Sequence, residues 1–355
     1  MKMIHFLCTL CFCLGTLSFQ AWSQPEVTGG PLNVPTNGII DGVYMKEIIP
    51  TKKLIEYEHV READYVWGKR VYQRIDLRER INHPIYFPFD EIRGENEWVR
   101  NASRWSLWTI IRNSIVYGDL TVFDNENPNA LGVYDGDQFK YPITSGMMGG
   151  NYQSDSLMKK DINRLLGTLA PPKTDAQGNF LALTSVLDPE LDSLDLAGNP
   201  VYPEREMIWI TSQDIVAYYL KEDWFFDKER SVLDCRILGI APVVYFDSKG
   251  KQVITDSETG AISDAIQSER ALFWLYFPHL RYTLNNYFVY NDANDAQWMS
   301  FDDLFWKRRF NSTMYKESNT YDRKIESYRT GAEALMEADR IKEEIRTIEH
   351  DVWSF

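Results

Sequence analysis

The sequence predicts an α+β fold made of two related helix–strand–helix halves, closed by an amphipathic C-terminal helix. Three observations lead there. Apolar stretches with strand character, Val71 to Leu77 and Ile85 to Phe87, lie among segments with helix-like content. The pattern then recurs at an offset of 158 residues: Arg74-Ile75-Asp76-Leu77-Arg78 matches Val232-Leu233-Asp234-Cys235-Arg236, and His83 to Phe87 matches Ala241 to Tyr245. Chance agreement between two apolar-rich segments is the competing reading. Finally, Leu335, Ala338, Ile341, Ile345, Ile348 and Val352 recur at three-to-four spacing, which is helical.

Taken in order, residues 1–23 read as an export signal. Lys2 is the charged start, Met3 to Leu17 the apolar run, and Ala21-Trp22-Ser23 places small residues for cleavage before Gln24. Cys11 follows Leu10 and Cys13 follows Phe12, so neither matches a lipid-attachment site. The expectation is an exported, unlipidated chain without direct membrane insertion. Residues 24–42, rich in Pro, Gly, Asn and Thr, read as a flexible arm.

The first α+β half is expected over 43–166. It holds a helix-like stretch from Leu54 to Trp67, the strand block, and a helix from Trp105 to Val116 with Trp108, Ile111 and Ile115 on one face. A turn-rich loop, Asp124 to Gly150, follows. Residues 167–203, with APP, DAQGN, DPE and AGNPVYP, form an irregular connection. The second half, 204–330, again reads as helix (Thr211 to Phe226), strand block, and aromatic helix-like segment (Ala271 to Phe277). Residues 331–355 form the terminal helix. Docking onto the protein's own body is its simpler use, since a coiled coil would need more heptads.

Charge and composition exclude whole classes. With 38 Lys+Arg against 52 Asp+Glu the net charge is −14, and no basic patch with interleaved aromatics appears, so nucleic acid is not a partner. An aromatic content of 14 % with 11 Trp suits large cores and protein interfaces. After signal cleavage Cys235 is the one cysteine left, in VLDCRILGI with no nearby His. It reads as a small buried apolar residue rather than a nucleophile.

Catalytic and metal constellations are not legible. His59, His83, His279 and His350 are widely separated, and neither HExxH nor CxxC occurs. Asp135-Gly136-Asp137 and Asp292-Ala293-Asn294 lack the remainder of a calcium loop. The adjacent carboxylates Glu222-Asp223 and Asp302-Asp303 are the nearest approach to a glycosidase pair. Both adjoin helix-like segments, where acids at the N-terminus complement the helix dipole. No cofactor, metal or catalytic residue is therefore assigned. A carbohydrate- or cell-wall-binding protein and a carboxylate-based hydrolase stay open as alternatives.

The most distinctive stretch is LKEDWFFDKERSVLDCRILGIAP, Leu220 to Pro242. Together with KRVYQRIDLRERINHPIYFP (from Lys69), LFWLYFPHLRY (from Leu272), NDAQW (from Asn294), DDLFWKRRF (from Asp302), YKESNTYDRKIESY (from Tyr315) and the ending IEHDVWSF, it resembles the GldN/PorN family. The resemblance runs from about Asp41 to Phe355. It implies a periplasmic subunit of the type IX secretion and gliding machinery of Bacteroidota. Such a subunit pairs with an outer-membrane GldK/PorK-type lipoprotein, assembles with copies of itself into a large ring, and contacts the periplasmic part of a GldM/PorM-type motor.

Crowding acidic copies into a ring calls for local charge segregation. The cluster Lys307, Arg308 and Arg309, with the region of Arg70, Arg74, Arg78 and Arg80, would then meet acidic residues such as Asp188, Asp192 and Asp195. The plainer alternative is that all of these charges are simply solvated.

Overall fold

The computed structural model describes residues 53–353, apart from 94–96, 102–103, 131, 148, 171, 176–177, 248–265, 295–296 and 298. The expected signal, arm, Trp298 and terminal Phe355 lie outside the described residues.

Strands dominate, and every pairing between them is antiparallel. The strands are β1 (Tyr65–Asp76), β2 (Glu91–Arg93), β3 (Glu97–Val99), β4 (Val122–Asp124), β5 (Pro142–Ile143), β6 (Gly167–Leu169), β7 (Met207–Trp209), β8 (Ala217–Asp227), β9 (Val232–Asp247), β10 (Ile266–Ala271), β11 (Phe273–Tyr276), β12 (Phe288–Val289), β13 (Met299–Ser300) and β14 (Thr313–Glu317). One eight-stranded sheet runs β14-β1-β8-β9-β11-β4-β5, with β10 on the far part of β9. Pairs β2-β3, β6-β7 and β12-β13 make small separate ribbons. Helices are the single turn α1 (His83–Tyr86), then α2 (Leu107–Tyr117), α3 (Ser156–Leu166), α4 (Phe277–Leu284), α5 (Phe301–Trp306) and α6 (Ala332–Trp353). The class is α+β, weighted to sheet.

The helix–strand–helix description of each half needs correction. Leu54 to Arg61 is irregular, and β1 begins at Tyr65. Most of the stretch from Thr211 to Phe226 is strand β8, and Phe273 to Tyr276 is strand β11. The offset also equates α1 with the interior of β9. The physical reason is double-sided burial. A half-exposed strand would alternate along Ala217 to Asp227, yet Ala217 to Glu222 are all buried. A strand covered on both faces reads as a continuous apolar run, which periodicity cannot tell from helix. Strand β1 pairs directly with β8, so both expected halves contribute to one sheet.

On one face, α2, α4 and α5 bring Trp108, Ile111, Leu280, Phe301 and Phe305 onto Ile75, Leu220 and Ile240 to form the main core. Ser106 caps α2, accepting from the Thr109 N–H, and Gly118 ends it at φ 88°, a conformation in which a Cβ is costly. Farther along that face, α6 docks Ala338, Ile341 and Ile345 onto Val71, Met314 and Ile325. Leu335 points out to solvent instead. The opposite face carries an aromatic layer, with Tyr219 and Tyr315 ring centroids 4.6 Å apart and Tyr72 beside them.

Candidate functional site

Two polar clusters sit side by side on the helix-covered face, at a cleft of about 400 Å³ lined in part by Tyr57, Cys235, Arg236, Arg281, Trp306 and Arg308. Residues before the 3-10 turn Glu62–Asp64 cross this cleft without regular structure. Tyr57 is stacked on Trp306 at 5.5 Å. Arg281 from α4 lies 4.4 Å from the Tyr57 ring centre and 4.7 Å from that of Trp306. Its guanidinium is almost wholly buried, so it needs partners. It donates to both Asp302 carboxylate oxygens, at 2.7 and 3.1 Å, and to the Ile55 carbonyl at 2.7 Å. Arg236 on β9 donates to the Glu58 carbonyl at 2.6 Å. Burial pushes the Tyr57 phenol up to about 12, with Arg281 opposing and Asp302 reinforcing. The cleft thus grips a peptide segment by an aromatic ring and two carbonyls, and here that segment is the chain's own.

The neighbouring cluster follows from strand register. Val71 lies opposite Glu222 and Trp224 opposite Cys235, so Gln73, Glu222, Trp224 and Cys235 share one face. Glu222 is fully buried and accepts from Arg308 Nη1 at 2.9 Å, Arg308 Nη2 at 3.2 Å, Gln73 Nε2 at 2.7 Å and Trp224 Nε1 at 3.1 Å. Ser312 donates to Gln73 Oε1. Cys235 Sγ lies 3.0 Å from Arg308 Nη1. Burial and then the Glu222 charge push its thiol up to about 12, against the opposing pull of Arg308. Such a thiol is protonated and inert at neutral pH. Cys235 therefore borders an ion pair rather than acting as a plain apolar filler. The Arg308 guanidinium titrates higher than usual, because Glu222 and Cys235 outweigh its own desolvation.

The basic cluster from the sequence is split by this arrangement. Arg308 turns inward from a left-handed residue (φ 50°) that closes α5, with Arg309 N–H donating to the Leu304 carbonyl and Arg308 N–H to that of Phe305. Lys307 and Arg309 stay exposed; Lys307 pairs with Asp303 at 3.6 Å and Arg309 donates to Asn291 at 3.2 Å. Arg70 is held bidentately by Asp223 at 2.6 and 2.7 Å, Arg74 by Asp76 and Glu269, and Arg78 by Asp76. Only Arg80 of that region is exposed without an ion pair among the described residues.

Asp188, Asp192 and Asp195 are exposed on the excursion between β6 and β7, and no described ion pair joins them to Lys307, Arg308 or Arg309. The adjacent carboxylates do not converge either. Glu222 and Asp223 face opposite sides of β8, toward Arg308 and Arg70 respectively. Asp302 binds Arg281, while Asp303 completes the capping box of α5 with Ser300. Among the described residues, no group of three or more His, Cys, Asp or Glu side chains is placed to hold a metal ion. Nor is any described helix long and apolar enough to cross a membrane.

The sequence reading missed the Glu222–Arg308 and Arg281–Asp302 pairs. No local signal marks them, because partners lie 86 and 21 residues apart. A protein-family model described as gliding motility associated protein GldN matches residues 60–354. No curated protein matches the chain.

Proposed function

The chain belongs to the GldN family of gliding motility associated proteins, and from that premise we propose that it is a non-enzymatic periplasmic subunit of the type IX secretion and gliding machinery. It forms a large ring with an outer-membrane GldK/PorK-type lipoprotein, which holds it at the outer membrane. Through the periplasmic region of a GldM/PorM-type subunit it couples an inner-membrane motor to secretion and gliding. The observation that carries this reading is the family match, which spans the whole described sheet and the terminal helix. The local chemistry is in keeping with a scaffold. Two buried ion pairs, Arg281–Asp302 and Arg308–Glu222, are spent internally, and its cleft holds its own residues.

Co-purification tests the proposal. The mature chain is expected to elute with the lipoprotein as one large species, and cells lacking the chain are expected to lose both secretion and gliding. Binding to peptidoglycan or glycans in place of the lipoprotein, with secretion intact in the deletion strain, would refute it.

A further inference from the structure

The excursion between β6 and β7 is ordered by its backbone and carries its apolar side chains outward. Two turns of identical pattern, Asp-x-x-Gly-Asn, build it: Asp175 Oδ1 accepts the Asn179 N–H at 2.8 Å and Asp195 Oδ1 the Asn199 N–H at 2.9 Å. Gly178 and Gly198 supply the positive φ each turn requires, 88° and 82°. Between the turns three chain segments bond in a closed cycle. Leu183 N–H donates to the Val201 carbonyl, Val201 N–H to that of Ser193, and Ser193 N–H to that of Leu183, at 2.6–2.7 Å. With its polar backbone so satisfied, this element holds a defined shape without a core.

Its surface is unusual in two respects. Val186, Leu187 and Leu196 are fully exposed, and Leu191 and Leu194 are each 58 % exposed. Isolated exposed apolar residues are ordinary, but five within the eleven residues from Val186 to Leu196 of a shaped element mark a contact. Charge is the second respect. Residues 174–204 contain six acidic residues and no Lys or Arg. Asp188, Glu190, Asp192 and Asp195, interleaved with the leucines, have no described ion pair.

Resting on the subunit reading above, we propose that this arm is a docking element for a different protein, one offering an apolar groove bordered by Lys and Arg. Charge decides against a second copy as the occupant. The chain carries a net −14, and arginines of its sheet and cleft such as Arg70, Arg74, Arg281 and Arg308 are consumed by internal carboxylates. Repulsion between two net-acidic chains makes a different protein the better source of a complementary rim, even with Arg80, Lys307 and Arg309 exposed. Leucines enter the groove, and the acids set orientation and speed of encounter.

A photo-crosslinking side chain at Val186 of the full chain, in cells making the complete machinery, tests this. The expected adduct is with another protein, through a peptide that carries apolar residues beside Lys or Arg. Adding Leu187→Asp and Leu191→Asp should lower its yield about tenfold or more, and so should Asp188→Lys with Asp192→Lys. Both variants should unfold at the wild-type temperature, because these side chains touch no core. Adducts to another copy of this chain or to lipid, a yield no higher than from the exposed helix position Glu343, or indifference to both double variants would overturn the docking arm. An adduct meeting all criteria with a protein outside the secretion and gliding machinery would uphold the arm and sink the proposed function.

Discussion

Replacing Arg308 by Ala should destabilise the fold strongly, although its side chain is one-third exposed. The cost lies with its partner. Glu222 has no solvent exposure, and the substitution removes two of its four N–H donors, leaving Gln73, Trp224 and the distant Cys235 thiol, together with its only counter-ion among the described residues. Breaking one side of a buried ion pair typically costs about 3–5 kcal/mol. At about 2 °C per kcal/mol for a chain of this size, Tm should fall by roughly 6–10 °C. Two further variants separate the contributions. Arg308→Gly loses the same pair but is suited to φ 50°, so it should be about 1 kcal/mol less harmful than Ala. Glu222→Gln leaves Arg308 able to reach water and should cost only about 1–2 kcal/mol. Combining Glu222→Gln with Arg308→Ala should cost less than the sum, with a coupling of about 0.5–3 kcal/mol. Thermal unfolding followed by circular dichroism, with urea titration for ΔG, measures each. An Arg308→Ala protein within about 1 kcal/mol of wild type, or strict additivity in the cycle, would refute the reasoning.

Three other outcomes follow from the same geometry. Native protein at pH 8 should leave Cys235 unlabelled by a thiol reagent and react fully once unfolded, because burial and Glu222 hold the thiol up at about 12; rapid labelling of the native chain would contradict this. Ile341→Ala should cost about 2–5 kcal/mol, whereas Leu335→Ala on the solvent side of α6 should stay within about 0.5 kcal/mol; equal effects would mean that α6 is docked differently. Asp76 is held below the usual carboxylate range, since its bonds to Arg78 and Arg74 outweigh the desolvation that would raise it. Its stabilising effect is therefore fully present above the unfolded value of about 3.9 and is lost as pH falls toward the folded one. A plot of stability against pH should flatten on the acid side for Asp76→Asn, and an unchanged acid limb would count against the pairing.

Family membership, and the helices whose apolar residues recur at three-to-four spacing, were legible along the chain. Ordered blocks such as LKEDWFFDKERSVLDCRILGIAP carried the family, which the match over 60–354 bears out. Helix α6 was legible because it buries one stripe, Ala338, Ile341 and Ile345, and α2 through the three-to-four spacing of Trp108, Ile111 and Ile115, although Leu107 to Ile115 are all buried. Strand β8 was not, because neighbours cover both of its faces and erase the period-two signal. The same limit applies to the polar clusters. Nothing local separates Glu222 from Asp223, or Arg308 from Lys307 and Arg309. Pairing of β1 with β8 and of β8 with β9 selects which carboxylate is buried, and the left-handed turn at Arg308 selects which cation meets it. Register and a single backbone conformation are long-range consequences of packing the whole sheet, so they emerge only when the sheet is assembled.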